Sequence, residues 1–422
     1  MNKLKMVLPF IQARWFRRFS SRQALARYQQ KALEKQYAYM RTHSPYYRQL
    51  PKDESFPFMD KQFMMTHFDE LNTQGIKKEE ALAFALASEK TREFNQDYQG
   101  LSIGLSSGTS GHRGIFITTE AEQALWAGTV LGKMLPKGNL LGHKLAFFLR
   151  ADNQLYQSIN SPVIELAYFD TYHPLAEHVA RLNKYQPTIL IAPASMLVAL
   201  AQQIEEKNLA LHVQQVISVA EVLEETDRDY LEAMFDLPMI HQIYQCTEGF
   251  LGCTCSHGNL HLNEDIVYIE KEFIDERRFY PIVTDFKRTS QPIIRYRLND
   301  ILVAANEPCP CGSVFQRIEK IEGRADDIFL FEGKNETIVS VFPDFIRRCL
   351  LFVPDIRTYQ VTQHSPRLVE IAVDQLTEQQ KQQIQEEFQN LAEDLKFTCP
   401  QLTFSVYEWN PRIKLKRVAR NF

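Results

Sequence analysis

Residues 101–119 read LSIGLSSGTSGHRGIFITT, a run of small and hydroxylated side chains held between two apolar strands. Glycine lets a backbone bring its N–H groups close to an anion, and neighbouring hydroxyls add donors, so Ser106, Ser107, Gly108, Thr109, Ser110 and Gly111 can wrap a polyphosphate. The same composition also suits an ordinary hairpin turn. The Gly-Lys-Ser/Thr ending of a Walker loop is absent. The chain around the loop therefore has to decide between the two readings.

That chain has 422 residues, enough for two or three domains with a large buried core. Hydrophobic residues make up 45%, charged residues 24% and aromatics 11%, which excludes a disordered, collagenous or coiled-coil protein. No apolar run reaches the roughly 18 residues of a spanning helix. A net charge of −4 argues against a nucleic-acid binder, whose domains carry a basic excess. Seven cysteines, an odd number, fit a reducing, cytoplasmic setting better than a disulfide framework.

Short apolar runs at 145–149, 163–169, 188–192 and 213–219 alternate with helical patterns at 173–185 and 194–207. That alternation predicts an α/β sheet. Residues 261–331 read as strands and turns. In the last 90 or so residues, a strand at 368–373, an amphipathic helix at 377–396 and a strand at 402–409 predict a self-contained β-α-β layer.

Three further segments accompany the loop: IYQCTEG (243–249), with a hydroxyl beside a carboxylate; IRYRLND (294–300), with an acid at a strand end; and EGRADD (322–327). With these four motifs in this order, the chain resembles the adenylate-forming superfamily, and most closely its phenylacetate-CoA ligase branch, which includes deazaflavin-cofactor-adenylylating synthetases and capsule-cluster relatives. FPFMDKQFMMTHFDELNTQGI, from Phe56, is similar to that branch's N-terminal region, so the resemblance spans nearly the whole chain.

The resemblance implies a large multi-sheet α/β body over 1–325 and a small mobile α+β cap over 326–422, hinged at Asp326. It implies that Ser106 to Gly111 hold the β- and γ-phosphates of ATP. Ala220, Glu221 and Val222 lie along the adenine, Tyr244 lines the nucleotide site, Thr247 touches the α-phosphate, and Glu248 ligates Mg²⁺, a hard cation that prefers oxygen. Asp300 accepts the ribose hydroxyls and Arg324 supplies a planar cationic donor. RIKLKRV (412–418) matches the closing motif, whose lysine stabilises charge during adenylation. Lys414 aligns with that lysine, and Lys416 is the alternate.

The activity implied is an acid–thiol ligase: a small-molecule acid, aryl or hydrophobic, becomes an acyl-AMP with pyrophosphate release and passes to a thiol, coenzyme A. The alternatives are an adenylyltransferase that stops at AMP transfer and a weakened nucleotide-binding partner in a biosynthetic complex. Two departures stand out: His112 where many relatives carry lysine, and Ile413 where glycine is usual.

Cys253, His261, Cys309 and Cys311 form a metal set, because thiolates with one imidazole suit tetrahedral Zn²⁺ and Cys-Pro-Cys-Gly presents two sulfurs on a tight turn. Cys255 and His257 are substitutes, and reduced buried thiols are the alternative. The site reads as structural.

Residues 1–35 hold nine basic side chains against one acid, Glu34. Such a segment either lies on an anionic membrane or a protein partner, or packs Phe10, Trp15 and Phe19 on the body with its charges solvated. The second reading is preferred, and a homodimer is compatible with either.

Overall fold

The computed structural model of the protein describes residues 4–91, 93, 96–106, 114–138, 140–149, 164–333, 337–351 and 353–422. Ser107, Gly108, Thr109, Ser110, Gly111 and His112 lie outside the described residues.

β1 (Leu101–Leu105) and β2 (Ile115–Thr119) pair antiparallel. Ser106 and Gly114 close the base of their connection twice. The Ser106 N–H donates to the Gly114 carbonyl at 2.8 Å, and the Gly114 N–H donates to the Ser106 hydroxyl at 2.7 Å.

The apolar runs after the hairpin become parallel strands: β3 (His143–Leu149), β4 (Ile164–Asp170), β5 (Ile189–Ala192), β6 (Gln215–Ser218) and β7 (His241–Cys246), in the order β4-β3-β5-β6-β7. Helices Leu175–Tyr185 and Ala194–Glu205 connect them, each opening after a proline that presets the entry dihedral. The sheet then turns antiparallel through β8 (Gly249–Thr254), β9 (Leu260–Leu262), β10 (Val267–Phe273), β11 (Arg278–Asp285), β12 (Tyr296–Arg297), β13 (Asp300–Ala304) and β14 (Arg317–Arg324). Their order from β7 is β8-β9-β14-β13-β11-β10, with β12 beside β11.

The last 90 or so residues carry their own core. β15 (Phe329–Glu332) pairs with β16 (Ile338–Val341), while β17 (Tyr359–Ser365), β18 (Leu368–Val373), β19 (Gln401–Val406) and β20 (Val418–Arg420) form a sheet in the order β19-β18-β17-β20. Phe329, Phe331, Ile346, Ile371 and Phe388 are buried together there. The expected β-α-β layer is present: β18 and β19 run parallel on either side of helix Glu378–Leu395, which Thr377 and Gln380 open with a reciprocal capping box. The final strand expected to reach residue 409 ends at Val406, and Trp409 packs instead against the core under helix Ala194–Glu205.

Candidate active site

A cleft of about 1920 Å³ opens at the carboxyl ends of β3 to β7, where parallel α/β sheets present their loops. The motif residues arrive there by simple backbone logic. Thr247 and Glu248 are the two tip residues of the hairpin between β7 and β8, in which Cys246 faces Gly249. A two-residue turn leaves both side chains free of the ladder. The Thr247 hydroxyl donates to Glu248 Oε2 at 2.9 Å, and Arg288 holds the loop from behind by donating to the Thr247 carbonyl at 2.8 Å.

Asp300 and Arg324 stand directly opposite each other on β13 and β14, with Arg324 Nε 3.4 Å from Asp300 Oδ1. The Tyr244 hydroxyl donates to Asp300 Oδ2 at 2.7 Å. A carboxylate has about four lone-pair positions, so Asp300 keeps acceptor capacity toward the cleft. Burial, aided by Asp300 and Glu248, pushes the Cys246 thiol well above its usual range, which makes it a poor nucleophile at neutral pH.

Ala220 follows β6 with φ +66°, a left-handed conformation rare for alanine, and it sets the direction of Glu221. The Glu221 carboxylate accepts the N–H of Ser195 at 2.9 Å and the N–H of Leu415 at 3.0 Å. Burial raises its pKa, while those two N–H groups and the Lys414 ammonium oppose the rise. The segment expected along the adenine thus also grips the lysine loop. Lys414 and Lys416 both line the cleft, and the Lys416 ammonium lies 2.9 Å from Asp327. Ile413 is largely exposed. Asp326 is exposed in the three-residue turn Ala325–Asp327 and accepts from Asn299 at 2.6 Å.

The structure therefore brings Ser106, Ala220, Glu221, Tyr244, Thr247, Glu248, Asp300, Arg324, Asp326 and Lys414 to one cleft. It also contributes residues that the sequence reading missed. Arg417 Nη2 donates to both carboxylate oxygens of Asp227, at 2.8 and 2.7 Å, and both groups are buried. Glu122 accepts from Thr119, Thr289 and Ser290 and ties the second strand of the loop hairpin to the body. The pattern Thr119-x-x-Glu122 is a capping box that is visible in the sequence. Asp285, buried beside the cleft, has its carboxyl pushed up to about 6 by burial.

The metal set needs one correction: Cys253 does not belong to it. Cys253 sits inside β8, where its sulfur is buried in the main core 3.5 Å from Asn263 Oδ1. Cys255, just past the strand end, takes its place. Cys255, His261, Cys309 and Cys311 have ligand atoms within 4.8 Å of one another. Two similar turns supply the sulfurs. In each, a glycine N–H (Gly258, Gly312) donates 3.1 Å to a cysteine carbonyl (Cys255, Cys309), with φ of +73° and +74°.

The Cys255 and Cys309 sulfurs lie 3.7 Å apart, and Cys311 Sγ lies 3.6 Å from His261 Nε2. Tetrahedral Zn²⁺ with Zn–S of about 2.3 Å and Zn–N of about 2.0 Å calls for about 3.8 and 3.5 Å. His261 Nδ1 lies 3.1 Å from the Phe315 carbonyl, the outer contact that fixes the tautomer of a ligating histidine. The donor set fits the ion.

No protein-family model matches the sequence. The chain is 27% identical over 186 residues to Protein CapK of Staphylococcus aureus, covering 42% of this chain and 41% of that protein. It is 29% identical over 75 residues to phenylacetate-coenzyme A ligase of Thermus thermophilus, covering 18% of this chain and 16% of that protein. The matches thus span less than half the length of these curated relatives. Among solved structures, 2-hydroxyisobutyryl-CoA ligase in its postadenylation state with 2-HIB-AMP superposes with a TM-score of 0.68 at 16% identity, over 94% of this chain and 88% of that chain. The fold is that of the adenylate-forming acyl-CoA ligases.

Proposed function

We propose that the chain is an ATP-dependent acid–thiol ligase for an aryl or other hydrophobic carboxylic acid. In the first step a carboxylate oxygen bonds to the α-phosphorus of ATP and the bond to pyrophosphate breaks. In the second, a thiol sulfur, that of coenzyme A, bonds to the acyl carbon. AMP then leaves with the bridging oxygen, and the thiol proton passes to solvent.

The observation that carries this reading is the convergence of Thr247, Asp300 and Lys414 on one cleft at the strand ends. The Thr247 hydroxyl would donate to the α-phosphate, and Asp300, braced by Tyr244 and Arg324, would accept the ribose hydroxyls. Ser106 and the loop that follows would hold the terminal phosphates, and Ala220 to Val222 would wall the adenine. The Lys414 ammonium would meet charge gathering on the carboxylate and phosphate oxygens, where a fixed cation lowers the barrier most. Of the two lysines in the cleft, Lys414 is the one that aligns with the lysine of the closing motif. Glu248, a carboxylate at the hairpin tip, would hold Mg²⁺, which supplies charge neutralisation at the phosphates.

Residues 326–422 act as a cap that turns about Asp326 between the two steps. Their separate core and the exposure of Asp326 support this division. Cys255, His261, Cys309 and Cys311 hold a structural zinc that ties the β8–β9 turn to the segment before β14. None of the seven cysteines is joined in a disulfide, which supports a cytoplasmic setting. Among the described residues no helix is long and apolar enough to cross a membrane.

The test is pyrophosphate release with a panel of acids, with and without coenzyme A. Acid-dependent release, with acyl transfer only when the thiol is present, is expected. Nucleotide binding without turnover on any acid would overturn the reading.

A further inference from the structure

Helix Leu4–Ile11 and the π-helical turn Gln12–Phe16 that continues it are apolar on two opposite faces. One face is fixed to the body. Met6 and Pro9 are buried, and side chains at Gly128 and Gly132 of helix Glu120–Met134 would collide with the Met6 carbonyl and come within 2.8 Å of the Phe10 carbonyl. Arg14 locks the end by donating to the Leu135 and Pro136 carbonyls at 2.6 and 2.5 Å. The segment is therefore seated on the body through a close backbone contact.

The other face meets solvent. Leu4 is 77% exposed, Leu8 63%, Phe16 73%, Val7 49% and Trp15 48%. These five are a third of the fifteen exposed large hydrophobics among the described residues, gathered within 13 positions. Leu4, Val7, Leu8, Ile11 and Trp15 recur at helical spacing. Helices that are apolar all round are ordinarily covered on every side, and an exposed cluster of this kind marks an interaction surface. The sequence expectation that Trp15 packs down is met only in part: it stands edge-on to Phe10 at 5.7 Å and remains half exposed.

Charge selects the occupant. Before Glu34 the sequence carries eight cations and no acid. The body's nearby acids are already matched, Glu120 to Lys5, Asp265 to Arg17 and Glu264 to Arg22, while Arg18, Arg27, Lys31 and Lys35 are exposed. A second copy joined through the same face would bring two of these cation-rich segments together.

We infer that the face bearing Leu4, Leu8 and Phe16 docks on an anionic lipid bilayer, inserting its apolar side chains at the headgroup boundary while the cations meet lipid phosphates. The cleft is then held at a membrane surface. This assignment stands on the exposed apolar face and the charge of the segment and is independent of the ligase reading.

The test is sedimentation of the full chain with phosphatidylcholine vesicles containing about a third phosphatidylglycerol, against pure phosphatidylcholine, at low and high salt. Expected are binding at least tenfold tighter to the anionic vesicles, weakening at high salt, and at least a tenfold loss in Leu8→Asp/Phe16→Asp with an unchanged melting temperature. Binding to neither vesicle, equal binding to both, or binding unaffected by the double substitution would overturn the inference. So would a micromolar dimer in sedimentation velocity that the same substitutions dissolve, since it would give the face to a second copy.

Discussion

Asp227→Asn breaks the buried pair that joins helix Glu225–Phe235 to the segment entering β20, three residues after Lys414. Burial raises the Asp227 carboxyl despite the opposing pull of Arg417. The Arg417 guanidinium, which burial alone would lower, is lifted by Asp227. Such a pair is ionised but gains little net stability, because dehydration offsets the attraction. That balance suits a contact that must form and release. Removing the Asp227 charge is different, since it leaves a buried Arg417 guanidinium with the Glu224 carboxylate nearby, the Arg357 carbonyl at 2.9 Å and the Tyr359 ring, but without the carboxylate it bonds directly. The cost of such an orphan is about 3 kcal/mol, or about a 150-fold shift between two arrangements.

If the cap swings, Arg417 escapes that cost by rehydrating in the open arrangement, so the closed one bears the loss. Acid-dependent pyrophosphate release should fall by between ten- and 150-fold. Acyl transfer from supplied acyl-AMP to coenzyme A should stay within about twofold, and the melting temperature should change little. The double variant Asp227→Ala/Arg417→Ala should recover part of the loss. An equal fall in both half-reactions, or a large drop in melting temperature with the adenylation rate unchanged in the folded fraction, would show that the pair does not hold the closed arrangement.

Lys414→Ala should suppress acyl-AMP formation by at least a hundredfold while sparing thiolysis, and Lys416→Ala should cost far less; the same two half-reaction assays decide. The Asp285 carboxyl rises from 3.8 to about 6, so folding favours its protonated form, and this contribution is lost as pH rises through about 6. Asp285→Asn should therefore be more stable than the parent by roughly 3 kcal/mol at pH 7.5 and nearly equal to it at pH 4, read by urea unfolding; equal destabilisation at both values would contradict this. Protein purified without a histidine tag should carry about one equivalent of zinc, which Cys309→Ser should largely abolish together with several degrees of melting temperature. Less than a tenth of an equivalent in the parent would reject the metal site, and loss on Cys253→Ser but not Cys255→Ser would reverse the ligand correction.

The parallel strands were legible as short apolar runs alternating with helical patterns; Thr247 and Glu248 stood out as a hydroxyl beside a carboxylate, but their place at a two-residue hairpin tip depends on the pairing of β7 with β8. What stayed hidden depends on distance along the chain. Asp227 and Arg417 are 190 positions apart, and nothing local marks either as paired. Cys253 and Cys255 differ by two residues, so strand alternation alone leaves both on the same side; where β8 ends decides which sulfur enters the turn. Glu122 was partly readable as the fourth residue of a capping box, but its bonds to Thr289 and Ser290 come from tertiary folding. The loop's Ser107 to Gly111 lie outside the described residues, and their phosphate role rests on the motif and on the Ser106–Gly114 closure.

In the proposed adenylation a carboxylate oxygen becomes bonded to the α-phosphorus of ATP. Turnover of an ¹⁸O-carboxylate acid with ATP and coenzyme A tests it directly, with AMP analysed by mass spectrometry. Each AMP released should carry one ¹⁸O, and AMP that emerges unlabelled during acid-dependent turnover would rule this bond out.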